Sequence, residues 1–217
     1  MRPGDHPEFF RLAPPPGASR ESTLALDAEG RFTHDGAPIE HPMLEKALRS
    51  WVSRHPDTGR PILTNGYDWC YFAVADTPLF VDGLRLERGP GGGVLRASLC
   101  LFDGTSEPLD PTQLRVRRGP SGERVVAHVR ARGLDALFSR HAQADLGELL
   151  VDDEPPTLEL GGARFVLAVD EQAEHAEQHA EQPEHAEQGE QPEQPEQPEQ
   201  PDQPDQPEQP EQPEGRG

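Results

Sequence analysis

The chain has 217 residues, with 40 acidic against 20 basic side chains, 25 prolines and 12 aromatics. Residues 170–217 hold 16 acids, one base and no aromatic, so −15 of the total charge of −20 sits in the last 48 residues. That excludes a chain folded throughout: the first 169 residues suffice for one core, whereas an acidic, proline-rich stretch without large apolar side chains cannot offset the entropy of ordering.

The opening residues, Met1 to Phe10, contain no apolar leader-like run, and the apolar stretches, such as Phe165–Val169 and Trp69–Ala75, are far too short to span a bilayer. Cys70 and Cys100 are too few for a disulfide framework and are not at metal-ligand spacing. A cytoplasmic protein without cofactor is expected. The acidic balance argues against nucleic acid as a partner, and the lack of an apolar span against membrane.

Residues 1–21, with Pro14-Pro15-Pro16-Gly17, read as a disordered N-terminal arm. Leu24–Leu26 and Arg31–Thr33 read as short strands around tight turns. Pro42 opens a helix at a position where its missing N–H costs nothing. The apolar residues Met43, Leu44, Ala47, Leu48, Trp51 and Val52 then predict one amphipathic face through Arg54. Tyr67–Ala75 is apolar on both faces and predicts a central strand. Val94–Phe102 alternates, with Leu95, Ala97, Leu99 and Leu101 on one side, and predicts a half-exposed antiparallel strand. Both tryptophans are expected to be buried.

A second block begins near Asp110-Pro111. Leu114–Arg118 and Arg124–Arg130 predict a hairpin, and Gly133 precedes a predicted helix over 134–150 with His141 on its apolar stripe. Thr157–Leu160 and Arg164–Val169 predict a closing hairpin around Gly161-Gly162. The class is α+β: two small similar halves of antiparallel strands, 22–110 and 111–169, each with one helix, and then a disordered acidic tail, 170–217. In that tail, eight Glu/Asp-Gln-Pro triplets run from Glu190 to Pro213, a spacing that forbids a helix and favours polyproline II.

The order of motifs resembles the bacterial domain-of-unknown-function family 1285. Leu26–Ile39, Ile62–Thr64 leading into Tyr71–Pro78, and Val129–Arg140 with the closing Gly-Gly turn carry the resemblance, over about residues 22–169. After Thr64 this chain has Asn65-Gly66-Tyr67-Asp68 where the family has a proline and a glutamate. The resemblance implies paired α+β halves and a part in signalling or ligand sensing.

Among candidate sites, residues 115–132 carry six arginines against Glu123 and lead into the predicted helix start. Arg130, Arg132 and the backbone of Leu134 are therefore the candidate ligand site for a small anion, since helix N-termini and guanidiniums favour one. The alternative is that these arginines are a solvated face. Cys70 and Cys100 with His128 and His141 lack the oriented third group of a nucleophilic site, and His141 is expected to be a hydrogen-bonded core histidine. His175, His179 and His185 have no preformed geometry, so no metal site is expected. No catalytic signature is present. The leading reading is a non-enzymatic anion-sensing or adaptor module; a hydrolytic or transfer enzyme and an interaction protein acting through the tail are the alternatives.

Overall fold

The computed structural model describes residues 2–119 and 122–171. The Glu190–Pro213 triplets and the three tail histidines lie outside the described residues. Within them the chain is mostly strand with two α-helices, an α+β fold built on three sheets.

The first sheet comes from β1 (Glu21–Leu26), β2 (Phe32–His34), β3 (Ala37–Pro38), β4 (Val52–Arg54), β5 (Pro61–Thr64) and β6 (Trp69–Val74), in the order β3-β2-β1-β6-β5-β4. Helix α1 (Pro42–Trp51) is inserted between β3 and β4. As predicted, Pro42 sits in its first turn; the His41 imidazole caps it, Nδ1 accepting from Leu44 N–H at 3.3 Å. The helix is shorter than its sequence pattern. Val52 and the next two residues leave it for β4, because Val52 pairs with Leu63 and becomes fully buried. Leu48 is buried as expected, but Met43 and Leu44 are exposed and Trp51 is only half-buried.

The second sheet comes from β7 (Leu79–Arg88), β8 (Val94–Leu101), β9 (Ser106–Pro108), β10 (Leu114–Gly119), β11 (Gly122–Val129) and β12 (Leu134–Phe138), with β16 (Ala168–Glu171) on its edge. Strand β12 replaces the first part of the predicted second helix. Ala136, Leu137 and Phe138 are all fully buried, wedged between β11 on one side and β7 on the other. A five-residue apolar run reads alike as buried strand or helix. The true helix, α2 (Arg140–Gly147), starts after Ser139, whose hydroxyl accepts from Ala142 N–H at 3.1 Å. With that start, Ala142 and Leu146 face inward and His141 is 79% exposed, not a core histidine.

The third sheet joins β13 (Leu150–Asp153), β14 (Pro156–Leu160) and β15 (Ala163–Val166). Its predicted Gly161-Gly162 turn is present, with φ of 63° and 78°, the positive values a two-residue turn needs. Three pairings depart from the all-antiparallel expectation: β1–β6, β7–β12 and β10–β16 are parallel. The expected division near Asp110 also falls inside a sheet, since β7–β9 hydrogen-bond into the same sheet as β10–β12; the boundary between sheets lies at residues 75–78.

One core cluster spans both large sheets, from Leu26 and Phe32 through Phe80 to Val126 and Phe138. Gly30 shows how closely they approach. At φ +80°, a Cβ there would meet the Phe80 ring at 3.0 Å. The joint itself is polar. Arg132 donates to the carbonyl of Val52 at 2.7 Å, and its guanidinium is also ion-paired with Asp103, whose side chain is 0% exposed.

The N-terminal arm, expected to be loose, is placed on the body. Two short 3₁₀ turns (Pro3–Asp5 and Pro7–Arg11) lay Phe10 against His55 and Trp69, with ring centres 5.9 and 6.0 Å away. Arg11 binds Asp57 through two hydrogen bonds.

Leu48 holds α1 to the first sheet. Leu48→Ala should lower unfolding free energy by about 2–5 kcal/mol in a denaturant titration; a loss below about 0.5 kcal/mol would mean that α1 is not docked through this residue.

Candidate functional site

The predicted anion site is not brought together. Arg132 faces the joint with Val52 and Asp103. Leu134 opens a strand, buried in the second sheet, so no helix N-terminus lies beside Arg132. Arg130 points elsewhere, ion-paired with Asp110.

The remaining arginines of the hairpin are also matched by carboxylates. Arg115 binds Asp135 and, at 3.1 Å, Asp170; Arg117 binds Asp76, with Arg124 at 3.8 Å from the same carboxylate; Arg118 binds Glu123 at 2.7 Å. Most of these acids lie far away in sequence, which is why a local charge count overstates the free positive charge.

A small cavity of about 270 Å³ beside β9–β11 is lined by Arg130 and His128, but also by Glu107 and Asp110. His128 Nδ1 lies 2.9 Å from Asp135 Oδ1, so the imidazole is held with its Nδ1 proton on the carboxylate. Burial alone would raise the Asp135 pKa; hydrogen bonds from His128 and Arg115 outweigh it and hold the carboxyl below its usual range. The two lining acids, already satisfied by Thr112, Arg130 and the amides of Arg130 and Ala131, make this a poor seat for a second anion.

A broad concavity lies along α1. An outer cavity of about 540 Å³ is bordered by Leu24, Ile39, Leu44, Leu48 and Trp51, with His34, Glu40 and His41 at its mouth. An inner cavity of about 140 Å³ shares Leu24, Leu48 and Trp51 as walls and ends at Asn65, Asp68, Trp69 and Cys70. The two adjoin along those shared side chains. All but one of the first sheet's strands contribute to the groove: Leu24 comes from β1, His34 from β2, Pro38 from β3, Leu63 from β5, and Trp69 and Cys70 from β6, joined by Leu48 and Trp51 of α1 and by Asn65 and Asp68 of the β5–β6 turn.

Trp69 carries the sharpest anomaly. It is 6% exposed, and its indole N–H is buried with no acceptor among the described residues. A buried donor left unsatisfied costs about 1–3 kcal/mol, a cost that an accepting water or ligand atom would remove. Both tryptophans of the chain thus line the inner cavity. The sequence reading missed the groove because it treated Met43, Leu44 and Trp51 as core. The available signal was that α1 carries more apolar surface than one sheet face covers.

Other candidates dissolve or stay structural. Cys70 is a half-buried wall of the groove, and Cys100 is half-buried on β8. The Arg88–Gly93 stretch is a hairpin loop, as expected, with Arg88 paired to Glu148. Among the described residues no cluster of metal-ligating side chains occurs, and no helix is long and apolar enough to cross a membrane.

The crystal structure of a DUF1285 family protein from Silicibacter pomeroyi DSS-3 matches this chain with a TM-score of 0.55 and 22% identity, covering 68% of this chain and 80% of that one. The likeness is one of fold. It agrees with the resemblance read from the sequence motifs. A DUF1285 family protein from Shewanella baltica OS155 gives a TM-score of 0.41 and 20% identity, over 56% of this chain and 87% of that one. No protein-family model matches the sequence, and no curated protein does.

The two arginines of the expected anion site should behave differently. Arg132→Ala leaves the buried Asp103 carboxylate unpaired and should cost about 3 kcal/mol in stability. Arg130→Ala removes an exposed pair and should cost below about 1 kcal/mol. Equal losses on denaturation would contradict the assignment of Arg132 to the joint.

Proposed function

We propose that this protein is a non-enzymatic binding module whose ligand is a small, uncharged, largely apolar molecule carrying a hydrogen-bond acceptor, held in the groove under α1. The observation that carries this reading is that Trp69, whose buried N–H has no acceptor among the described residues, is also a wall of an apolar groove. Ligand sites are typically apolar concavities of about 300–1,000 Å³ with a few convergent polar groups, and the outer cavity falls in that range. Glu40 at the mouth and Asp68 at the far end disfavour an anion. The groove offers no paired acid and base around a nucleophile, which favours binding over turnover.

A sensing role follows from this chemistry: a ligand that satisfies Trp69 and fills the groove stabilises the docked position of α1. The neutral, carbonyl-bearing dye Nile red is a suitable probe. Its titration should quench tryptophan emission with saturation. Leu44→Arg, at a helix position 43% exposed, should leave stability within about 0.5 kcal/mol and weaken the dye's binding about tenfold or more, the cost of setting a charge at an apolar mouth. Unsaturable quenching, or equal affinity in the two proteins, would remove the groove as the site.

A further inference from the structure

We infer that the N-terminal arm is the regulatory element of this groove: arm docking strengthens ligand binding, and ligand binding holds the arm down. The inference rests on the reading of the groove as a ligand site.

The β5–β6 turn and Trp69 are shared between the two. Asn65, Asp68 and Trp69 line the inner cavity. The same turn receives the arm. Gly4 N–H donates to the carbonyl of Gly66 at 2.8 Å, and the Arg2 guanidinium lies 5.9 Å from the centre of the Tyr67 ring. The approach is close enough that a Cβ on Gly66, itself at φ +86°, would meet Arg2 Cδ at 2.9 Å. The turn is stiff within itself, since Asn65 Oδ1 accepts from Tyr67 N–H and Asp68 N–H at 2.8 and 2.9 Å. It therefore passes a displacement on rather than absorbing it.

The indole is gripped in the same way. Phe10 packs against Trp69, and the His55 ring, 5.0 Å from the indole centre, ties the arm's backbone to it. His55 Nδ1 accepts from Asp57 N–H and Thr58 N–H, so the proton resides on Nε2, which donates to the Phe10 carbonyl at 3.3 Å. Arg11 then locks onto Asp57. Phe10 thus ends on a wall of the cavity, and the other arm contacts end on its neighbours: Gly66 and Tyr67 within the turn, and Asp57 two residues from His55. Sites that share walls in this way are coupled, and linkage makes the coupling reciprocal.

The test uses the full chain and Nile red. Phe10→Ala should raise the dye's Kd about fivefold or more, and Arg11→Ala should raise it in the same direction. In the wild-type protein, saturating dye should slow tryptic cleavage after Arg11, the arm residue followed by Leu12. Should Phe10→Ala lose its fold, Arg11→Ala decides, because that exposed side chain reaches only Asp57. Unchanged or tighter binding in the folded variants, with cleavage indifferent to dye, would overturn the coupling while leaving the groove reading intact. Absence of saturable dye binding to the wild-type protein would overturn the groove reading, and this inference with it.

Discussion

The architecture depends on how one carboxylate is neutralised. The Asp103 side chain has no solvent exposure, and a charge in that position is tolerated only when paired and hydrogen-bonded. Arg132 supplies the partner, and the same guanidinium binds the carbonyl of Val52. Val52 is the residue at which α1 gives way to β4. A single side chain from the turn between β11 and β12 therefore fixes the end of the helix that packs on the first sheet. The helix start is fixed independently by the His41 cap and Pro42, and its middle by Leu48. With both ends and the middle held, the unfilled space beneath Leu44 and Trp51 is a consequence of the anchoring, not slack in the packing.

That arrangement accounts for a contrast between the two halves of the molecule. The second sheet is tightly satisfied: Phe138, Leu137, Val126 and Val81 are fully buried, and the hairpin arginines are matched by acids drawn from across the chain. Its electrostatics are closed. The first sheet leaves Met43 and Leu44 in solvent, Trp51 half-covered and the Trp69 N–H without an acceptor. Leu44, Trp51 and Trp69 all line the groove along α1, which is where a ligand would cover apolar surface.

What the sequence disclosed divides along the range of the interactions involved. Local chemistry was legible: Pro42 marks the start of α1, Gly161-Gly162 a tight hairpin, and alternation through Ala97, Leu99 and Leu101 a strand with one buried face. Elements decided by distant partners were not. Residues 134–138 became a strand because β7 and β11 lie on either side of them, and the overlooked local signal was Ser139 as a helix cap. Val52 left its helix for Leu63. The arm docked because Phe10 and Arg11 meet His55, Trp69 and Asp57, residues about 45 or more positions away. The candidate anion site failed to assemble for the same reason: Asp103, Asp110 and Asp76 claim its arginines from outside the hairpin.

The central claim is that the Trp69 N–H awaits an acceptor delivered through the groove. Two indole resonances in a ¹H–¹⁵N correlation spectrum, assigned with a Trp51→Phe variant, test it most directly. On addition of Nile red the account predicts a downfield shift of the Trp69 indole proton and slower exchange with solvent, as a new hydrogen bond forms. A Trp69 indole signal that stays in place while the dye binds saturably would contradict it.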